Sequence, residues 1–209
     1  FKYNNLGLYK RTYSTHIMQS SPGVHRFVDR PFGPANGTAY ATRPHSDVQL
    51  IALDVFQKTN VDVIAELDYR QLNWVERVLK KANADGVKWI IVQGHTPIIS
   101  PVNKSHSSGL IYKGGTDSAL WKMMKKYKVD VYLAGEVHDV TGYYVDGIAQ
   151  VSHGGLAYWG EANYLLSEIV GDTLTMTSKR LYGTPDWDSG RMWQTDMSKS
   201  KPISVKYRE

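Results

Sequence analysis

Residues 71–101 read QLNWVERVLKKANADGVKWIIVQGHTPIISP, and the fold turns on how this stretch is parsed. Leu72, Val75, Val78, Leu79 and Ala82 recur at helical spacing with charges between them, so the first half is an amphipathic helix. Asp68 and Gln71 stand at capping-box spacing and start that helix at about Asp68. Asn83 to Gly86 stops it. Val87 to Gln93 (VKWIIVQ) is then a short apolar run, which reads as a buried strand. Gly94-His95-Thr96-Pro97 follows at the strand's C-terminal end.

The same alternation extends both ways. Val48 to Phe56 (VQLIALDVF) reads as an earlier buried strand. Thr116 is placed to cap a second helix running to about Lys128, with Leu120, Met123, Met124 and Tyr127 as its apolar face. Val129 to Ala134 (VDVYLA) is a third strand, followed by Gly135-Glu136-Val137-His138-Asp139. Strand, helix, strand, helix, strand implies a parallel sheet with crossover helices. Beyond it the pattern turns antiparallel. Asp146-Gly147 and Gly171-Asp172 each sit between two β-prone runs and read as hairpin turns. The organisation expected is one domain over 1–209: a loop-rich entry over 1–45, a core over 46–181 and a surface tail over 182–209.

Bulk composition narrows the function classes. With 42% hydrophobic and 22% charged residues, the chain has ordinary globular composition and enough apolar material for a core. No apolar run approaches the ~18–20 residues of a membrane span. The net charge of +5 gathers on Lys122, Lys125, Lys126 and Lys128. These lie opposite the second helix's apolar face, so they read as a solvated surface. No aromatic-interleaved basic ribbon supports a nucleic-acid partner. The absence of cysteine excludes disulfides, zinc-thiolate sites and a thiol nucleophile. Any metal must be held by His, Asp, Glu or Asn.

In an open α/β sheet, ligands bind beyond the C-terminal ends of the strands. Two strands here end in Gly followed by a potential ligand: Gly94-His95, and Gly135-Glu136-Val137-His138. If the two strands are neighbours, His95, Glu136 and His138 can converge. A single Gly-His more often marks a hydrogen-bonded structural histidine than a ligand; two such strand ends together shift the balance toward metal. Imidazole and carboxylate suit Zn, Mn, Fe or Ni. A dinuclear phosphate-ester site needs about seven or eight ligands around ions ~3.5–4 Å apart, more than these three.

Residues 71–101 resemble the calcineurin-like metallophosphoesterases, most of all their purple-acid-phosphatase-like branch. That family carries a QLxWLExxLxxA helix, an apolar strand and GHxP, then a strand ending in GHxH. Here the last block reads AGEVHD, at Ala134 to Asp139. The resemblance covers roughly residues 48–180. It implies the C-terminal half of a two-sheet α/β sandwich with flanking helices, its mixed sheet ending in antiparallel hairpins. It also implies hydrolysis of a phosphate ester by a metal-bound hydroxide, with divalent or dinuclear Mn, Fe or Zn. His95 would serve the second metal and His138 the first. Glu136 stands where the family has a third histidine. The family's upstream blocks, DxH, GDxxD and GNH[DE], have no counterpart in this sequence, so no catalytic residue is assigned.

Three explanations for that gap stay open: a C-terminal piece of a longer polypeptide, one half of a split protein with a partner chain, or a degenerate relative. The last would make the chain a non-catalytic structural or binding module on the same fold. A half-fold is expected to leave its inner sheet face bare. His106, in the loop after GHTP, and His153, after the first hairpin, are candidates beside the substrate or behind the ligands. Asp139 could orient His138 by accepting its ring N–H. The family flavour tilts the expected setting toward secreted or periplasmic.

Overall fold

The computed structural model describes residues 7–8, 10–11, 29–101, 107–152, 163–182, 194–196 and 202–206. A six-stranded mixed sheet carries the architecture. Its strands are β1 (Tyr40–His45), β2 (Val48–Ala52), β5 (Trp89–Gly94), β6 (Val131–Ala134), β7 (Thr141–Val145) and β8 (Ile148–Ser152), in the order β1-β2-β5-β6-β8-β7. β2, β5, β6 and β8 are parallel, and the edge strands β1 and β7 run antiparallel. A short hairpin, β3 (Phe56–Lys58) and β4 (Val63–Ala65), precedes the helix Tyr69–Ala84. Strands β9 (Asn163–Val170), β10 (Thr173–Tyr182), β11 (Gln194–Asp196) and β12 (Pro202–Lys206) form a separate antiparallel sheet.

Helix α1 spans Tyr69–Ala84. The Asp68 carboxylate accepts the Gln71 N–H at 2.8 Å and caps its first turn. Only half of the expected capping box forms. The Gln71 side chain does not return to residue 68; it donates to Asp54 O at 2.8 Å and accepts from Asp54 N at 2.9 Å. Gln71 is thus a buried clamp between α1 and the end of β2. Trp74, Val75, Val78, Leu79 and Ala82 bury the inner stripe. Gly86, at φ +69°, turns the chain out of the helix.

Helix α2 (Ala119–Lys126) is capped by Ser118, whose hydroxyl accepts from Trp121 N, and not by Thr116. Gly114 and Gly115 are left-handed, and the 3₁₀ turn Gly115–Asp117 takes up Thr116 before the helix begins. The lysine stripe behaves as a solvated face: Lys125 pairs with Asp146 and Lys126 with Glu76, each at 2.9 Å. In the β7–β8 hairpin both Asp146 and Gly147 have positive φ, as a type I′ turn requires.

Side chains alternate cleanly across the central sheet. Ile51, Ile90, Val92, Tyr132, Ala134 and Ile148 join the core under α1 and α2. Trp89, Val131, Ala149 and Val151 face the other way and are buried against Leu174 and Met176 of β10. The expectation of a bare inner face is therefore corrected where β9 and β10 lie. Two other corrections concern strands. Tyr40–His45, within the stretch read as loops, is β1; Pro44 is tolerated because the strand is at an edge. The tail read as an aperiodic surface wrap supplies β11 and β12 to the second sheet. Ile203 and Val205 stand two apart in the sequence, but over a segment too short to register as a period. No helix among the described residues is long and apolar enough to cross a membrane.

Candidate functional site

β5 and β6 are parallel neighbours, and Gly94 pairs with Ala134, so the two strand-end motifs emerge side by side. Gly94 has no room for a side chain: an added Cβ would lie 2.5 Å from Tyr132 Oη and 2.7 Å from Val55 Cγ1. At Gly135 a Cβ would meet His95 Nδ1 at 3.2 Å, so the imidazole packs directly on that glycine.

The segment carrying His95 is held from beneath. Tyr132 Oη donates to Thr96 O at 2.9 Å, and Gly135 N donates to His95 O at 2.8 Å. The buried Gln150 accepts from Ile98 N and Ile99 N, both at 2.8 Å, and donates to Ile99 O at 2.7 Å. Complete burial pushes the Tyr132 phenol far above its ordinary pKa, so it stays a neutral donor. The imidazole of His95 is 47% exposed, with the Phe56 ring 5.7 Å away.

His95 Nε2 lies 3.1 Å from Glu136 Oε2. Glu136 adopts φ +66°, uncommon for a residue with a side chain. Its other oxygen, Oε1, accepts from Ser108 N at 2.9 Å, from Ser107 Oγ at 3.3 Å and from Ser108 Oγ. Burial works to raise the Glu136 pKa, but the two Ser108 hydrogen bonds and the His95 contact outweigh it and hold the carboxyl below its usual range.

The third expected ligand is His138, expected to serve the other ion. His138 Nδ1 is buried without a hydrogen-bond partner. Asp139 therefore does not orient the ring through that atom, and its Oδ1 accepts the adjacent Val140 N–H at 2.7 Å instead. His106 and His153 lie outside the described residues. Among the described residues no group of three or more His, Asp or Glu gathers in a metal-binding arrangement. The structure brings His95 and Glu136 together and does not add His138 to such a group.

A cleft of about 410 Å³ opens over the strand ends, lined by Thr38, Tyr40, Gln93, His95, Leu133 and Gly135 among others. It lies where α/β folds bind ligands. Sequence reasoning missed Gln150, Tyr132 and the Ser107-Ser108 pair. Gln150 had a signal: it is the one amide within the apolar strand IAQVS. The serines, in a polar loop, had none.

Comparison with known proteins agrees with this architecture. The sequence profile of the calcineurin-like phosphoesterase family matches residues 6–140. An acid phosphatase of Aspergillus ficuum is 30% identical over 83 residues, 40% of this chain and 12% of that protein. Among solved structures, a dimetal phosphatase from Danio rerio superposes with a TM-score of 0.55 at 13% identity, covering 81% of this chain and 60% of its own. A purple acid phosphatase from yellow lupin (Lupinus luteus) seeds gives 0.51 at 14% identity, covering 80% of this chain and 32% of its own. These two are likenesses of fold. The chain spans less than two thirds of the length of each of these relatives. With the profile running from residue 6 through the GHTP and AGEVHD blocks, this chain belongs to the calcineurin-like phosphoesterase family.

Proposed function

We propose that this chain supplies His95 and Glu136 as ligands of a divalent metal in a phosphate-ester hydrolase. The observation that carries the reading is the 3.1 Å separation of His95 Nε2 and Glu136 Oε2. Two ligand atoms each ~2.0–2.2 Å from one ion, and set roughly at right angles, stand about 3 Å apart. The donor set therefore fits an ion shared by the two strand ends. The unpartnered His138 Nδ1 fits the same chemistry, since a buried imidazole nitrogen without a partner is costly unless something binds it. His138 is assigned to a separate ion.

A bound divalent ion, Mn, Fe or Zn by family likeness, would polarise the phosphoryl oxygens and activate water. The rest falls to the chain. Gln150 and Tyr132 hold the His95 segment still, and Gly94 and Gly135 let the imidazole sit at the strand ends. Thr38, Tyr40 and Gln93 line the cleft with neutral polar groups. The remaining ligands would come from the other portion of the two-sheet fold, in the same polypeptide or in a partner chain. The order of the GHTP and AGEVHD blocks supports reading this chain as the later portion.

One observation favours a second reading. The Glu136 carboxylate is already engaged by His95, Ser107 and Ser108, as it would be in a non-catalytic module that keeps the fold. Metal analysis of the native full-length protein, with aryl phosphate hydrolysis, separates the two. The enzyme reading expects a bound transition metal, with turnover lost in His95→Ala. A full-length protein that retains no metal and turns over no ester would overturn it.

A further inference from the structure

We infer that Ser108 is a positioning residue for the metal site: it holds Glu136 Oε1 so that Oε2 alone is presented beside His95. The inference rests on the ligand reading above and deepens it. A carboxylate has two oxygens, and whether one or both meet an ion depends on what else holds them. Here the division is complete. Oε1 receives the backbone N–H and the hydroxyl of Ser108, with the Ser107 hydroxyl behind them at 3.3 Å. Oε2 faces His95 Nε2 at 3.1 Å.

The loop is built to keep those donors aimed. Gly109 takes φ +77°, and its N–H donates to Ser107 Oγ at 3.0 Å, closing a serine turn. That bond uses the Ser107 oxygen as acceptor, which frees its proton to point at Glu136. Glu136 itself is fixed from behind: its backbone is left-handed, and its side chain is only 9% exposed. A carboxylate swinging freely between one- and two-oxygen binding would have neither constraint. The Ser107-Ser108 turn thus ties the loop after the GHTP segment to the occupancy of the ion, 28 residues away in sequence.

The test is metal affinity, read by competition with a chromophoric chelator using Mn²⁺ or Zn²⁺ and the full-length protein. Thermal melts of the metal-free forms accompany each variant. Removing a partner of a metal ligand weakens binding by about 10–100-fold. Ser108→Ala should show that loss at an unchanged melting temperature. Ser108→Thr keeps the hydroxyl and should restore most of the affinity. The infrared carboxylate bands should report one-oxygen binding in the wild type and a shifted splitting in Ser108→Ala. Wild-type affinity in Ser108→Ala would overturn the inference and leave the ligand reading standing. So would equal loss in Ser108→Ala and Ser108→Thr. A wild-type protein that binds neither ion would overturn both.

Discussion

The two faces of the central sheet are built to different standards. On the helix side, Trp74, Val75, Leu79, Ile90, Val92, Trp121, Met124 and Ile148 belong to one continuous core, closed by α1 and α2. On the other side, Leu174 and Met176 of β10 cover Trp89, Val131, Ala149 and Val151, with Leu165 of β9 against the edge of that patch. That cover lies over the beginnings of β5 and β6. Toward the ends of the same strands Gln93 and Leu133 are half-buried and line the cleft. Among the described residues one face is closed along its length, and the other is open where His95 and Glu136 meet.

Mutations on the two faces should therefore differ, and the difference is measurable by denaturant unfolding. Leu79, fully buried on the inner face of α1, should cost about 2–5 kcal/mol when cut to alanine, because closed packing cannot collapse around the cavity. Met176→Ala, in the thinner layer, should fall near about 2 kcal/mol, since its neighbours can settle into the gap. Equal losses would break the comparison. Leu133→Ala, partly buried on the cleft wall and packed against that same cluster, should cost less than Met176→Ala, about 1 kcal/mol. A loss as large as that of Met176→Ala would show that the cleft wall is packed as tightly as the covered patch.

The smallest effect expected is electrostatic, on the helix side. Burial tends to raise the Asp29 pKa, but hydrogen bonds from Arg77 at 2.7 and 2.9 Å and from Trp74 at 2.9 Å more than reverse it. A carboxyl whose pKa is lower folded than unfolded adds stability above its unfolded value, and loses it as pH falls through the folded one. Wild type should lose part of its stability below about pH 4, the ordinary range of an aspartate. Asp29→Asn should flatten that slope. Identical acid profiles for the two proteins would show that the Asp29 tether carries no weight.

How much of this was readable beforehand depended on whether a feature repeats. α1 and β5 were legible because Leu72 to Ala82 keep helical spacing and Val87 to Gln93 is continuously apolar. β1 was not, because Arg43 and Pro44 interrupt it and only its edge position excuses the proline. The meeting of His95 with Glu136 followed from two Gly-led motifs at the ends of adjacent parallel strands. The serines that hold Glu136 were hidden, since a loop reaching back across 28 residues leaves no spacing to read. Ser118 displaced Thr116 as a cap for a related reason: the left-handed Gly114-Gly115 pair sets where the helix can begin, and a list of capping residues does not.

Two glutamines share an unusual job. Gln71 gives and takes one hydrogen bond with the backbone of Asp54, and Gln150 does the same with Ile99 while also receiving Ile98 N–H. A side-chain amide carries the same donor and acceptor as a peptide group. Each glutamine therefore impersonates one residue of a neighbouring strand, at a point where no strand runs. The main chain can leave the sheet there without stranding its polar groups, and the strand ends stay clear for whatever the cleft admits. Replacing either with glutamate would keep the shape and lose the donor, a one-atom exchange that asks whether the mouth of this fold is kept open by a forged piece of backbone.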